Sequence, residues 1–104
     1  MGTSDTGVIE KVKQDFKEKL KEPSMYKVLL HNDDYTTMDF VIEILIYIFH
    51  KTHDEATGIM LNVHEKGVGI CGIYTFDVAE TKVETVHRLA KENEFPLKCS
   101  MEGV

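Results

Sequence analysis

Cysteine is scarce in this chain. Only Cys71 and Cys99 are present, and without a C-x-x-C spacing they support neither a zinc knuckle nor a thioredoxin-type redox pair. Each lies in an apolar, strand-like stretch, which fits a small buried thiol kept reduced. Long apolar runs are missing as well. No stretch reaches the roughly 18 residues that a membrane span needs, and the opening Met1-Gly2-Thr3-Ser4-Asp5 has no basic region followed by an apolar run. A soluble, cytoplasmic protein without a membrane partner is expected. Positive charge is not in excess either. The formal net charge is -6, which argues against a nucleic-acid partner, because phosphate binding needs a basic surface that releases counterions. H-E-x-x-H, a G-x-S-x-G elbow, internal repeats and low-complexity tracts are all absent, which removes the usual signatures of a zinc protease, a serine hydrolase or a repeat array.

What remains is a chain of 104 residues, 42% hydrophobic, enough for one core but with little room for both a catalytic cleft and a cofactor-binding unit. No cofactor is expected, and a binding module is favoured over an enzyme. Residues 1–24 hold five lysines against five acids, so the whole -6 belongs to residues 25–104. Glu22-Pro23-Ser24 is a breaker and places a boundary near residue 24. Upstream, Val8, Val12, Phe16 and Leu20 recur every fourth residue. So narrow a stripe is marginal as an isolated helix, and residues 1–23 are read as a mobile arm that orders on a partner, the other reading being a helix packed on the domain.

Met25 to Leu30 is aromatic and β-branched enough for a strand, and Asn32-Asp33-Asp34 stops it. Thr36, three residues before Asp39, resembles a capping box and predicts a helix from about Thr37. Its core face is Val41, Ile44, Leu45, Ile48 and Phe49, but Ile42, Ile46 and Tyr47 spread apolar surface around it, so burial on most sides is predicted. Thr52-His53-Asp54-Glu55 repeats the cap pattern before a second helix with Ala56, Ile59, Met60 and Val63, ending before Gly67. Val68 to Tyr74 reads as a strand thinned by glycines. Thr75 can cap a third helix carrying Ala79, Val83, Val86 and Ala90, and Leu97 to Met101 suits a short last strand. This order predicts an α+β domain over residues 24–104, with a small three-stranded, mostly antiparallel sheet covered on one face by three helices.

Asn32-Asp33-Asp34, His64 and the nearby methionines form the one constellation with chemical content. An α-ammonium has three N–H donors and a positive charge, so its complement is a carboxylate, an amide oxygen and a neutral imidazole nitrogen on converging sides. Asn32, Asp34 and His64 supply that set. Each also has a plainer reading: Asp33 as a turn residue, His64 as a cap on helix carbonyls, Met38 and Met60 as core filler. A metal site from His31, Asp33, Asp34 and His64 stays open on ligand type, although the spacing does not favour it, and His50 and His53 lack a third ligand. A small metal-dependent hydrolase and a structural module that docks through the apolar 40–49 helix are therefore the alternatives. Spacing alone defines no site.

Taken together, Tyr26 to Val41 (YKVLLHNDDYTTMDFV), Ala56 to His64 (ATGIMLNVH), Cys71-Gly72-Ile73-Tyr74-Thr75, Ala79 to Val83 and Pro96-Leu97 closely resemble the ClpS family, adaptors of the bacterial N-degron pathway. The resemblance runs through residues 24–104 in order and spacing. It implies a non-catalytic adaptor that binds proteins by a free, bulky, apolar first residue (Leu, Phe, Tyr or Trp) and delivers them to a ClpA- or ClpC-type unfoldase for degradation by ClpP; a monomer suits such a carrier. By the same resemblance, Asn32, Asp34 and His64 bind the α-amino group and Asp33 supports the loop. Thr36, Met38, Val41, Met60, Val63 and Leu97 would line the side-chain pocket, with Met38 as a gate, and Asp77, Glu80 and Lys82 would meet the unfoldase. The family usually has proline where this chain has Thr37.

Overall fold

A computed structural model describes residues 7–13 and 23–104. Six elements follow one another in the domain: β1 (Met25–His31), α1 (Met38–Tyr47), α2 (His53–Lys66), β2 (Val68–Thr75), α3 (Phe76–Glu92) and β3 (Lys98–Gly103). The strands form one sheet in the order β2-β1-β3, antiparallel at both pairings. The α+β order read from the sequence therefore holds. Residues 7–13 are also helical, with Val8, Ile9 and Val12 exposed. Phe16 and Leu20, the rest of the stripe expected of the arm, lie outside the described residues.

β1 is central because its period-two pattern supplies both faces. Val28 and Leu30 are fully buried under the helices, and Leu29, on the opposite face, is also buried. β2 carries a bulge: Val28 pairs with Gly72 while Leu29 pairs with Ile70. The extra residue, Cys71, turns into the core and leaves Ile70 and Ile73, three apart, on the same outer face. Ala79, Val86 and Ala90 of α3 meet the sheet from above, with Val83 and Leu89 packed alongside.

The cap of α1 is displaced from the expected one. Thr37, not Thr36, is the N-cap, its hydroxyl accepting from Phe40 N at 3.2 Å, because Thr36 is engaged by Asp33 instead. The helix stops at Tyr47, short of Phe49, and Tyr47 is 77% exposed, so burial on most sides holds only as far as Ile46. In α2 the expected capping box is complete: Glu55 N donates to Thr52 Oγ1 at 3.2 Å, and Thr52 N donates to Glu55 Oε1 at 3.0 Å. Gly67 ends it at φ 85°, a conformation that favours glycine. Thr75 occupies the N-cap of α3 but makes no side-chain cap bond. Gly69 lets α2 lie close on β2, since a Cβ there would stand 2.7 Å from Val63 Cγ2.

Candidate functional site

The residues between β1 and α1 form a loop organised by one carboxylate. Asp33 Oδ1 accepts from Tyr35 N at 2.8 Å and from Thr36 N at 2.7 Å, and Oδ2 accepts from the Thr36 hydroxyl at 2.7 Å. Partial burial alone would raise the Asp33 carboxyl, but the bonds from Thr36 and Tyr35 outweigh it and hold it below its ordinary value. The Asx-type turn leaves the neighbouring Asn32 and Asp34 side chains out of its own bonding. A main-chain bond, Asn32 N to Gly67 O at 2.8 Å, ties this loop to the turn after α2. That turn directly follows the helical residues Met60, Val63 and His64, so two segments far apart in sequence become opposite lips of one opening.

Between the lips lies a cavity of ≈ 270 Å³. Asn32, Asp33, Asp34 and Thr36 come from the loop, Met38 and Val41 from the first turn of α1, and Met60, Val63 and His64 from α2. Val41, Met60 and Val63 are buried and make an apolar floor, whereas Met38 is 50% exposed at the first helical position. Asn32, Asp34 and His64 are exposed at the rim. The arrangement presents a carboxylate, an amide oxygen and an imidazole above an apolar well, a complement for a cation carried on a bulky apolar group.

Nine of the ten residues expected at this site are brought together, and among the described residues no other lines the cavity. Leu97 is not among them: at 4% exposure it is packed in the core and does not reach the cavity lining. His31 faces away, its Nε2 2.6 Å from Ser100 Oγ on the other side of the sheet, so it cannot join the loop aspartates at a metal. Among the described residues no three His, Cys, Asp or Glu side chains are placed to hold a metal ion.

On α3, Asp77 and Lys82 line a shallow depression with Val78 and Thr81; Glu80 is exposed outside that lining. Lys82 has a further role that its spacing did not reveal. Its ammonium donates to Ile48 O at 2.6 Å and lies 5.0 Å from the Tyr74 ring centre and 5.7 Å from that of Phe49. α1 has no basic residue in its last turn, and Lys82 supplies that cation from another helix.

Fold and cavity together define a small α+β ligand-binding module. The family model described as "ATP-dependent Clp protease adaptor protein ClpS" matches residues 21–100, and the chain belongs to that family. It is accordingly a Clp protease adaptor and not an enzyme. The ATP-dependent Clp protease adapter protein ClpS of Syntrophus aciditrophicus is 53% identical over 105 residues, covering 97% of this chain and 98% of the relative. That of Oleidesulfovibrio alaskensis is 62% identical over 87 residues, 84% of each chain. Among solved structures, Agrobacterium tumefaciens ClpS2 bound to L-phenylalaninamide superposes with a TM-score of 0.77 at 36% identity, covering 80% of this chain and 100% of that one. No helix among the described residues is long and apolar enough to cross a membrane.

Proposed function

We propose that the chain recognises proteins by a free, bulky, apolar N-terminal residue of the Leu, Phe, Tyr or Trp class and passes them to a ClpA- or ClpC-type unfoldase coupled to ClpP. The observation that carries this reading is the meeting of Asn32, Asp34 and His64 at the mouth of a well floored by Val41, Met60 and Val63. The ligand of the Agrobacterium protein, L-phenylalaninamide, has the corresponding parts: a free α-amino group, a benzyl side chain and an amide where a peptide would continue. In this reading residues 24–104 are the cargo-binding domain, residues 1–23 a flexible N-terminal extension, and Asp77, Glu80 and Lys82 the unfoldase contact. The protein works as a cytoplasmic monomer.

Hydrogen bonds to a charged group contribute about 1.5–3 kcal/mol each, and burying a Leu or Phe side chain contributes about 1.5–3 kcal/mol. After ordering costs, a dissociation constant of roughly micromolar is expected, suited to a carrier that must release its load. An internal residue offers a neutral amide with one donor, so the site selects the first residue of a chain.

Titrating peptides that begin with Leu or Phe, free and N-acetylated, tests the reading. Acetylation removes the charge and two donors, and a loss of about 100-fold or more is expected; superimposable curves would reject the assignment. A panel varying only the first residue separates it from a docking module that ignores that residue. Degradation of a Phe-starting reporter by unfoldase and peptidase, with and without the adaptor, tests delivery.

A further inference from the structure

We propose that the uncovered face of the sheet is a second docking surface, one that binds an acidic, apolar-bearing segment of a partner protein, separate from the cavity that takes a chain's first residue. All three helices of the domain pack on one side of the sheet. On the other side the cross-strand register aligns Val68 with His31, Ile70 with Leu29 and Ile73 with Lys27. Leu29 is the closed floor, 7% exposed, while Ile70 and Ile73 stand 51% and 52% exposed beside it. The bulge at Cys71 keeps both isoleucines on this face. A groove of ≈ 560 Å³ runs between this apolar strip and α2, edged by Lys66 and Asn62. Contiguous exposed aliphatic residues around a concave floor mark interaction sites more often than scattered ones do.

Charge selects the occupant. The chain as a whole is at -6, yet this face carries Lys27, Lys66 and Lys98 against Glu102, and Glu102 is already 3.7 Å from Lys27 Nζ. A cationic rim around an apolar strip on an otherwise acidic molecule complements acidic groups flanking apolar ones. A second copy presenting the same face would meet like charge. Residues 1–24, with five lysines and five acids, offer no net complement. An anionic bilayer would bring its charge against an acidic protein, and a groove fits a segment better than a plane. The groove adjoins the candidate cavity without sharing a lining residue: His31 and Lys66 edge the one, Asn32 and His64 the other. Both sites can therefore be filled at once. This inference does not depend on the N-terminal-residue reading.

The probe is an acetylated, amidated, dye-labelled octapeptide alternating Glu with Ile, followed by fluorescence anisotropy. Saturable binding is expected, weakening at least about fivefold between about 0.05 and 0.3 M salt as the lysines are screened. Ile70→Asp combined with Lys66→Glu should weaken it about tenfold or more, while the affinity for a Phe-starting peptide stays unchanged. Four outcomes would overturn the proposal: no saturation at millimolar peptide, equal binding of a Lys-for-Glu control, displacement of the probe by phenylalaninamide, or anionic vesicles binding through the same residues in place of the peptide. A parallel thermal melt of the double variant guards against misfolding, and Lys98→Glu, at an exposed strand position, gives an independent reading in the same direction.

Discussion

Asp33 accepts bonds from both backbone amides and the hydroxyl of its own loop, and so has little capacity left for a ligand. Its value is that it makes its neighbours available, holding the turn that presents Asn32 and Asp34. Because the folded-state carboxyl is depressed below its usual 3.8, its contribution is complete above that value and is lost as pH falls through the lower folded value. Asp33→Ala should cost about 1 kcal/mol at neutral pH, the low end for a loop whose freed donors reach water, and should weaken binding of a Phe-starting peptide. Urea titrations of wild type and variant should differ at pH 7, and the gap should narrow as pH falls below the usual carboxylate range toward the depressed folded value; a gap that stays constant through acid would show that packing, not ionisation, is responsible. This residue was legible early, because an Asn-Asp-Asp run after a strand has few other uses. The displaced cap was not. Thr36 and Thr37 are both sound cap residues by type, and only the competition of Asp33 for Thr36 decides between them.

At the scale of elements, α1 is the one held by borrowed parts. Thr37 closes its N-terminus, next to Met38, and Lys82 of α3 closes its C-terminus through Ile48 O. Lys82→Met keeps much of the stem against Phe49 and Tyr74 while removing the ammonium, and should lower stability by about 1–2 kcal/mol. Thr37→Ala should lower it by about 1 kcal/mol. The two sit at opposite ends of the helix, so the losses should nearly add in the double variant, read by chemical denaturation. A Lys82→Met protein as stable as wild type would return that lysine to a purely external role. Any loss of delivery in Lys82 variants therefore has to be compared at matched folded fraction. The helices themselves were readable from period and caps, down to both bonds of the Thr52–Glu55 box. The contact between Lys82 and Ile48, 34 residues apart, was not, because nothing local in either segment encodes it.

For the molecule as a whole, the core is a single layer between sheet and helices, and Cys71 and Cys99 sit in it from the two outer strands. Desolvation pushes the Cys99 thiol up to about 12 and Cys71 higher still, with Cys99 adding to the effect on Cys71. Thiolate is the reactive form, so neither cysteine should be modified by an aromatic disulfide reagent in the native protein at pH 8, and both should react once denaturant is added. Rapid labelling of either one in the folded state would mean that the sheet edges open. Burial of both thiols was evident from their apolar surroundings, as was the pairing of a polar loop with a distant histidine once the family pattern was seen. A sheet covered on one face only was expected, but what lines its open face was not evident, because an eight-residue strand with a bulge defeats a strict two-residue alternation and hides which isoleucines share a side.

The bond from Asn32 N to Gly67 O joins the two lips through main chain alone. The spacing of the mouth is thus independent of the side chains that furnish it, in the way a socket's dimensions are independent of the fitting it receives. Met38 and Met60 can be exchanged to retune which first residue is admitted without re-engineering the scaffold, and this chain is a starting point for reagents that read protein N-termini. The Asn32 amide proton, slow to exchange only while that bond is closed, would report on the scaffold in every such variant before any cargo is added.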